Sequence, residues 1–232
     1  MSSPTITLYY RPGSCSLVPH ALLHHLSIPF NTVAMRANAE KRFEAADGSF
    51  THQDYRKINP TGYVPALVLD SGQVITELPA VLTYIACIAP PEQTEKLLGS
   101  SALDRARVIE WTNWLSGTFL GTSIAACARP YRFTDGDDAR KAVAEKGWEN
   151  ILECYARVES KLDGREYAVG DGLTVVDFYL YYFRRSAVYM TGMGGSLFGE
   201  KYPNFERLQK MVEGLEGVQE ILKVEELKPV YE

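Results

Sequence analysis

Long hydrophobic runs are missing from this chain. No stretch of its 232 residues approaches the ~20 consecutive apolar residues that span a bilayer, which argues against a membrane partner. The N-terminus, MSSPTITLYYRPG, has neither the charged start nor the long apolar core of a secretory leader. Basic charge is short as well. Lys and Arg number 24 against 29 Asp and Glu, a net charge of -5, so the basic footprint that nucleic acid requires is absent. Cysteine is sparse: Cys15, Cys87, Cys127 and Cys154 lie far apart, with neither metal-ligand spacing nor a disulfide-dense pattern. They read as the reduced thiols of a cytoplasmic protein. His20, His24 and His25 share helical spacing, but no carboxylate pattern accompanies them, so they read as surface or packing residues and no metal is expected. At 46% hydrophobic and 23% charged, the chain has the composition of a folded globular protein rather than a disordered one.

What is present changes character along the chain. "TITLYY" (5–10) is β-branched and aromatic, a strand signal. "SLVPHALLHHL" (16–26) has helical spacing, with Pro19 early enough for a first turn. "PFNTVAM" (29–35) reads as a second strand. Residues 64–70 and 73–77 flank Ser71-Gly72, a two-residue hairpin signal, and residues 79–89 read as a helix ended by Pro90-Pro91. The polar middle, broken at Asp47-Gly48, has room for a short helix and a loop. Past "PPEQTEKLLGSS", read as a linker, strand patterns all but vanish. Long helices are expected over 103–128 and 138–164, another in "GLTVVDFYLYYFRRSAVYM", and two shorter ones after it. The expected organisation is a first domain over 1–90, a linker over 91–101 and an all-helical domain over 102–232 that forms an acceptor-substrate pocket.

Four short stretches carry chemistry or folding information. Cys15 follows a Pro-Gly turn and precedes a helix, where unpaired N–H groups stabilise a thiolate. The position three residues on is Val18, which excludes a two-cysteine disulfide exchanger. Tyr10, Ser14 and Ser16 supply neighbouring hydroxyls. In "NPTGYVPAL" the Val64-Pro65 pair suggests a cis bond that turns the Val64 backbone outward, able to pair with an extended peptide. In "ITELPAV", Glu77 stands before a helix start whose free N–H groups suit a carboxylate ligand, with Glu77 itself available to an ammonium group. In "GLTVVDFYL", Thr174 and Asp177 form a capping-box-like pair, with Leu173 and Phe178 at the staple positions. The glycine cluster in "TGMGGSLFGEKYPNF" has no strand before it and is not read as a phosphate loop.

In this order and spacing, "YYRPGSCSLVPH", "NPTGYVPAL", "TELPAV", "IEWTNWL" and "LTVVDFYL" resemble the cytosolic glutathione transferases, most of all the beta class, which carries cysteine after its first strand. The resemblance implies a thioredoxin-like α/β N-terminal domain, an all-α C-terminal domain, a homodimer and glutathione as the bound thiol. It implies that Cys15 sits beside the glutathione sulfur and that Val64 pairs with the cysteinyl backbone ahead of cis-Pro65. Glu77 and the Leu78 backbone N–H would hold the γ-glutamyl end, and Asn113 would reach the glutathione of the partner subunit. Three departures stand out. Leu78 replaces the usual Ser or small residue. Leu120-Gly121 occupies the register of a His-Lys pair near the acceptor pocket. The segment before "NPTGYVP" is longer than usual.

The activity this implies is addition of a glutathione thiolate to a small apolar electrophile, by conjugation or by cis/trans isomerisation of an unsaturated carbonyl compound. Lowering a thiol pKa by about 2 units needs about 2.7 kcal/mol of differential stabilisation, within reach of charge-assisted hydrogen bonds and a helix end. The apolar run "FLGTSIAACA" (119–128) is the candidate acceptor lining. Arg129 and Arg184 are solvated or face the cleft. A thiol-disulfide (deglutathionylation) enzyme and a non-catalytic binding module are the competing readings. The short flanks outside the first strand and last helix favour a stand-alone enzyme.

Overall fold

The computed structural model describes residues 6–191 and 196–231, and the chain divides into two units. The first runs to Thr94 and takes back Glu213–Val230; the second comprises Glu95–Val212 and Tyr231. The first unit is thioredoxin-like. Strand β1 (Ile6–Tyr10) buries alternate residues Ile6, Leu8 and Tyr10, the period-two pattern of a strand with one face in a core. Helix α1 (Leu17–His25) carries the chain to β2 (Phe30–Ala37), which lies parallel to β1 with Leu8 opposite Thr32. The polar middle, unassigned by pattern, holds the short strand β3 (Phe43–Ala45) and helix α2 (His52–Ile58). Thr51 and Asp54 cap α2 reciprocally. Strands β4 (Ala66–Val68) and β5 (Val74–Thr76) complete a sheet of order β3-β2-β1-β4-β5, and α3 (Leu78–Cys87) follows. The β4–β5 hairpin forms where expected, but its loop is wider. Leu69 N–H still bonds Gln73 carbonyl at 2.9 Å, leaving three residues in the bend rather than two, with Gly72 at φ +79°.

Two expectations about organisation change. The stretch 91–101, read as a linker, contains helix α4 (Pro91–Leu98). Pro91 suits a first turn because no N–H is needed there, but Leu97 alone is buried, so no apolar periodicity signals the helix. The last helix packs with the first unit rather than the second. Helix α11 (Glu216–Val224) lies against α1. Gly217 makes that approach possible: a Cβ there would collide with the His25 backbone nitrogen. The buried Glu213 carboxylate then accepts the Val230 N–H at 2.9 Å and ties the tail back.

The second unit is all-helical. Helix α5 (Ala102–Trp114) runs on through a π-helical segment, Leu115–Ile124, into α6 (Ala125–Ala128), so the single long helix expected over 103–128 is interrupted in pitch. Thr122 and Ser123 hydroxyls donate to the carbonyls of Gly117 and Thr118, five residues back, each at 3.0 Å. Those bonds match the wider π turn. A 3₁₀ turn (Pro130–Arg132) leads to α7 (Asp137–Lys161), then α8 (Val175–Thr191), α9 (Ser196–Lys201) and α10 (Pro203–Glu213). The core is aromatic, with Phe119 stacked on Phe183 at 4.1 Å between centroids. The Thr174–Asp177 pair opens α8: the Asp177 carboxylate accepts Thr174 N–H and O–H, each at 2.7 Å, and Ala168 N–H at 2.8 Å. Arg184, read as solvated or cleft-facing, is fully buried, donating to Glu206 at 2.7 Å. Its charge is matched by a carboxylate on α10, which local sequence cannot reveal. Residues 192–195 of the glycine cluster lie outside the described residues, as does the start of the chain through residue 5. Among the described residues no helix is long and apolar enough to cross a membrane.

Candidate functional site

The register of the sheet determines where the candidate residues meet. Tyr9 of β1 pairs with Ala66 of β4, and Ala66 pairs with Thr76 of β5. The residues after Tyr10, before Ala66 and after Thr76 therefore converge at one edge of the sheet. Those are the Cys15 loop, Val64-Pro65 and Glu77.

The Cys15 loop is a hydrogen-bonded turn. Gly13 takes φ +69°, which an L-residue with a side chain rarely adopts. Ser14 N–H bonds the Arg11 carbonyl at 3.1 Å, and Leu17 and Val18 N–H bond the carbonyls of Ser14 and Cys15. The Ser16 hydroxyl, fully buried, accepts the Arg11 N–H at 3.0 Å and donates to the Arg11 carbonyl at 3.2 Å. Ser14 Oγ lies 2.8 Å from Ser16 Oγ and accepts the Ser16 N–H at 3.3 Å. The arrangement that meets every one of these contacts has Ser14 donating to Ser16 and Ser16 donating to Arg11. Both hydroxyl protons are then spent inside the loop. Cys15 is half-buried, and its thiol donates to the Val64 carbonyl at 3.6 Å. Tyr10 is packed, with its ring 4.6 Å from that of His20. Burial, then the nearby Glu225 charge, push its phenol above the usual range.

The Val64–Pro65 peptide is cis, as the sequence suggested. The loop before it is pinned by residues that sequence reasoning missed. Tyr55 O–H and Asn59 Nδ2 both donate to the Tyr63 carbonyl at 2.7 Å. Asn59 Oδ1 also accepts Thr61 N–H at 3.1 Å. An asparagine before Pro60 is a turn signal, but the Tyr55 contact has none.

Glu77 occupies the N-cap of α3 with φ +66° and ψ 119°, exposed, and without a side-chain cap bond. A non-glycine residue held there is strained. Leu78 is buried in the core, and Pro79 opens the helix with no N–H of its own. The structure thus brings Cys15, Ser14, Ser16, Val64, Pro65, Glu77 and Leu78 to one end of the first unit. Asn113 lies in the second unit, exposed on α5. Of the run 119–128, only Gly121, Thr122 and Ala128 are exposed, while Phe119, Ser123, Ile124, Ala125 and Ala126 are core. The acceptor lining read from that run is correspondingly narrower. Among the described residues no cluster of three or more His, Cys, Asp or Glu side chains is arranged to hold a metal ion.

The N-terminal domain of glutathione S-transferase matches residues 13–87, and its C-terminal domain matches residues 119–216. Glutathione S-transferase GstA of Escherichia coli O157:H7 is 32% identical over 174 residues, 75% of this chain and 78% of GstA. The solved ternary complex of BphK, a bacterial GST, superimposes with a TM-score of 0.77 at 30% identity, covering 95% of this chain and 100% of BphK. A sphingomonad glutathione S-transferase complexed with glutathione gives a TM-score of 0.75 at 29% identity, covering 96% and 100%.

Proposed function

Because the chain belongs to the glutathione S-transferase family, we propose that it binds glutathione at this sheet edge and directs the thiolate at a small apolar electrophile. The observation that carries the reading is the convergence of Cys15, cis-Pro65 and Glu77 through the β1–β4–β5 register. The Val64 backbone would take the cysteinyl backbone as an added strand. The Leu78 N–H at the α3 terminus would face the γ-glutamyl carboxylate, and the Glu77 carboxylate its ammonium. A strained N-cap residue makes sense if its backbone and side chain are both presented to a ligand. Cys15 would flank the glutathione sulfur.

The thiolate attacks an electrophilic carbon, forming a C–S bond while a leaving group departs with its electron pair. With an unsaturated carbonyl compound, addition at the β-carbon gives an enolate. Protonation at the α-carbon completes conjugation. Rotation about the new single bond, then collapse of the enolate with loss of thiolate, returns the other isomer and consumes no thiol. Glycine and leucine in place of a basic pair at Leu120-Gly121 favour an uncharged acceptor. The four cysteines form no disulfide, which suits a reducing cytoplasm. A homodimer, joined through the exposed face of α5 that carries Ala106, Ile109 and Asn113, would bring Asn113 to the glutathione of the partner subunit.

A second reading has its own support. Both serine hydroxyls are engaged inside the loop, which leaves the half-buried Cys15 thiol as the proposed reacting group. Its thiolate would attack a glutathionyl mixed disulfide, releasing the substrate thiolate and holding glutathione until a second glutathione resolves it. Calorimetric titration of the reduced protein with glutathione tests the shared premise. Micromolar to low-millimolar binding, weakened in Glu77→Ala, is expected; no heat at millimolar glutathione would overturn both readings.

A further inference from the structure

The Cys15 turn is held from the far end of the chain. Glu225 follows α11, and its side chain is completely shielded from solvent. A carboxylate is costly to bury unless paired. One oxygen of Glu225 accepts the Gly13 N–H at 2.9 Å, and the other lies 2.8 Å from His20 Nδ1, which donates to it. Gly13 is the residue at φ +69° that turns the chain into Ser14-Cys15. His20 lies on α1 directly behind that turn, its ring packed between Tyr10 and His24 at 4.6 and 5.5 Å. The clamp can reach because Gly217 lets α11 approach the α1 backbone. Leu227, two residues past Glu225, packs 3.5 Å from where a Gly13 Cβ would stand.

We propose that Glu225 is a positioning residue for Cys15: through Gly13 N–H and His20 it fixes the turn that presents the thiol, so the C-terminal segment is a working part of the N-terminal site. This rests on reading Cys15 as the residue beside the glutathione sulfur. The other titratable groups facing the cluster are Tyr10 on β1, His24 on α1 and Glu220 on α11.

The test is the pH profile of Cys15 alkylation by iodoacetamide without glutathione, read at the Cys15 peptide by mass spectrometry. In Glu225→Ala the turn loses its acceptor, and the midpoint should rise by about one unit, slowing reaction at neutral pH about tenfold. Glu225→Gln keeps an acceptor for Gly13 and should stay near wild type. A nearby negative charge acting through space alone would do the opposite: both variants would shift the midpoint down, and that result overturns the proposal. So does a folded Glu225→Ala whose profile superimposes on wild type. Should Glu225→Ala fail to fold, Glu225→Asp, which withdraws the carboxylate by one methylene, carries the comparison, and a wild-type profile there overturns the proposal equally. Absence of glutathione binding in the wild type would sink the glutathione reading, while these profiles would still decide the role of Glu225.

Discussion

The Cys15 thiol and the Val64 carbonyl meet at 3.6 Å across 49 residues of sequence. The carbonyl belongs to the residue ahead of cis-Pro65, so the thiol proposed to react adjoins the backbone position proposed to take an added strand. The proposed binding contacts are the Val64 backbone, Glu77 and Leu78, and none of them needs the thiol. Cys15→Ala should therefore keep glutathione affinity within about threefold, a loss under 1 kcal/mol, while abolishing any protein–glutathione mixed disulfide seen by intact mass. Calorimetry and mass spectrometry on one preparation check both halves. An affinity loss beyond about tenfold would show that the thiol is itself a binding group.

Glu77 separates ligand binding from backbone cost. Its φ of +66° is strained for any residue with a Cβ, at about 1–3 kcal/mol, and glycine escapes most of that. Glu77→Gly and Glu77→Ala both remove the carboxylate, so both should weaken glutathione binding by about 1.5–3 kcal/mol, the value of a hydrogen bond to a charged group. Only glycine relieves the backbone. Glu77→Gly should melt about 2–4 °C above Glu77→Ala in a thermal scan. Equal melting temperatures would mean that the N-cap conformation costs nothing.

How far the sequence discloses the site depends on where each contact comes from. Cys15, Val64-Pro65 and Glu77 are legible because each sits at a local signal: a Pro-Gly turn, an X-Pro pair at a strand start, an acid before a Pro-led helix. Thr174 and Asp177 are legible for the same reason, as a cap lies within one turn. Glu225 is not, because 212 residues separate it from Gly13 and only folding of α11 onto α1 brings them together. His20 reads as a packing residue and does pack, but its hydrogen bond to Glu225 depends on that same long-range docking. Helix α4 is invisible because a polar segment with a single buried leucine has no apolar stripe to detect.

Ile109 tests the proposed dimer. It is 60% exposed on α5, on the face shared with Ala106 and Asn113 at helical spacing. A large aliphatic side chain there gains little unless another surface covers it. Ile109→Glu should shift the sedimentation coefficient to that of the monomer, or weaken self-association at least about tenfold, without changing the far-ultraviolet circular dichroism. A wild-type protein sedimenting as a monomer at micromolar concentration would remove α5 from consideration as an interface.

Asp177 gives the protein a pH dependence of definite sign. Complete burial raises its pKa from 3.8 to about 6, against the pull of the Thr174 and Ala168 donors. The folded state therefore holds this proton more tightly than the unfolded chain does. Its contribution is fully present below pH about 4, declines as pH rises through about 6, and is flat above that. Over that window the wild type should lose about 3 kcal/mol relative to a variant without the group. Asp177→Asn keeps one oxygen acceptor and cannot ionise, so the difference between its urea midpoint and that of the wild type should move in its favour between pH 4 and pH 7. The variant starts from a weaker cap and lower stability at pH 4, where both side chains are neutral, so the quantity to read is the slope of the difference with pH. A slope of opposite sign would mean that the three donors outweigh burial and that Asp177 is ionised throughout, with a folded-state pKa below its unfolded value.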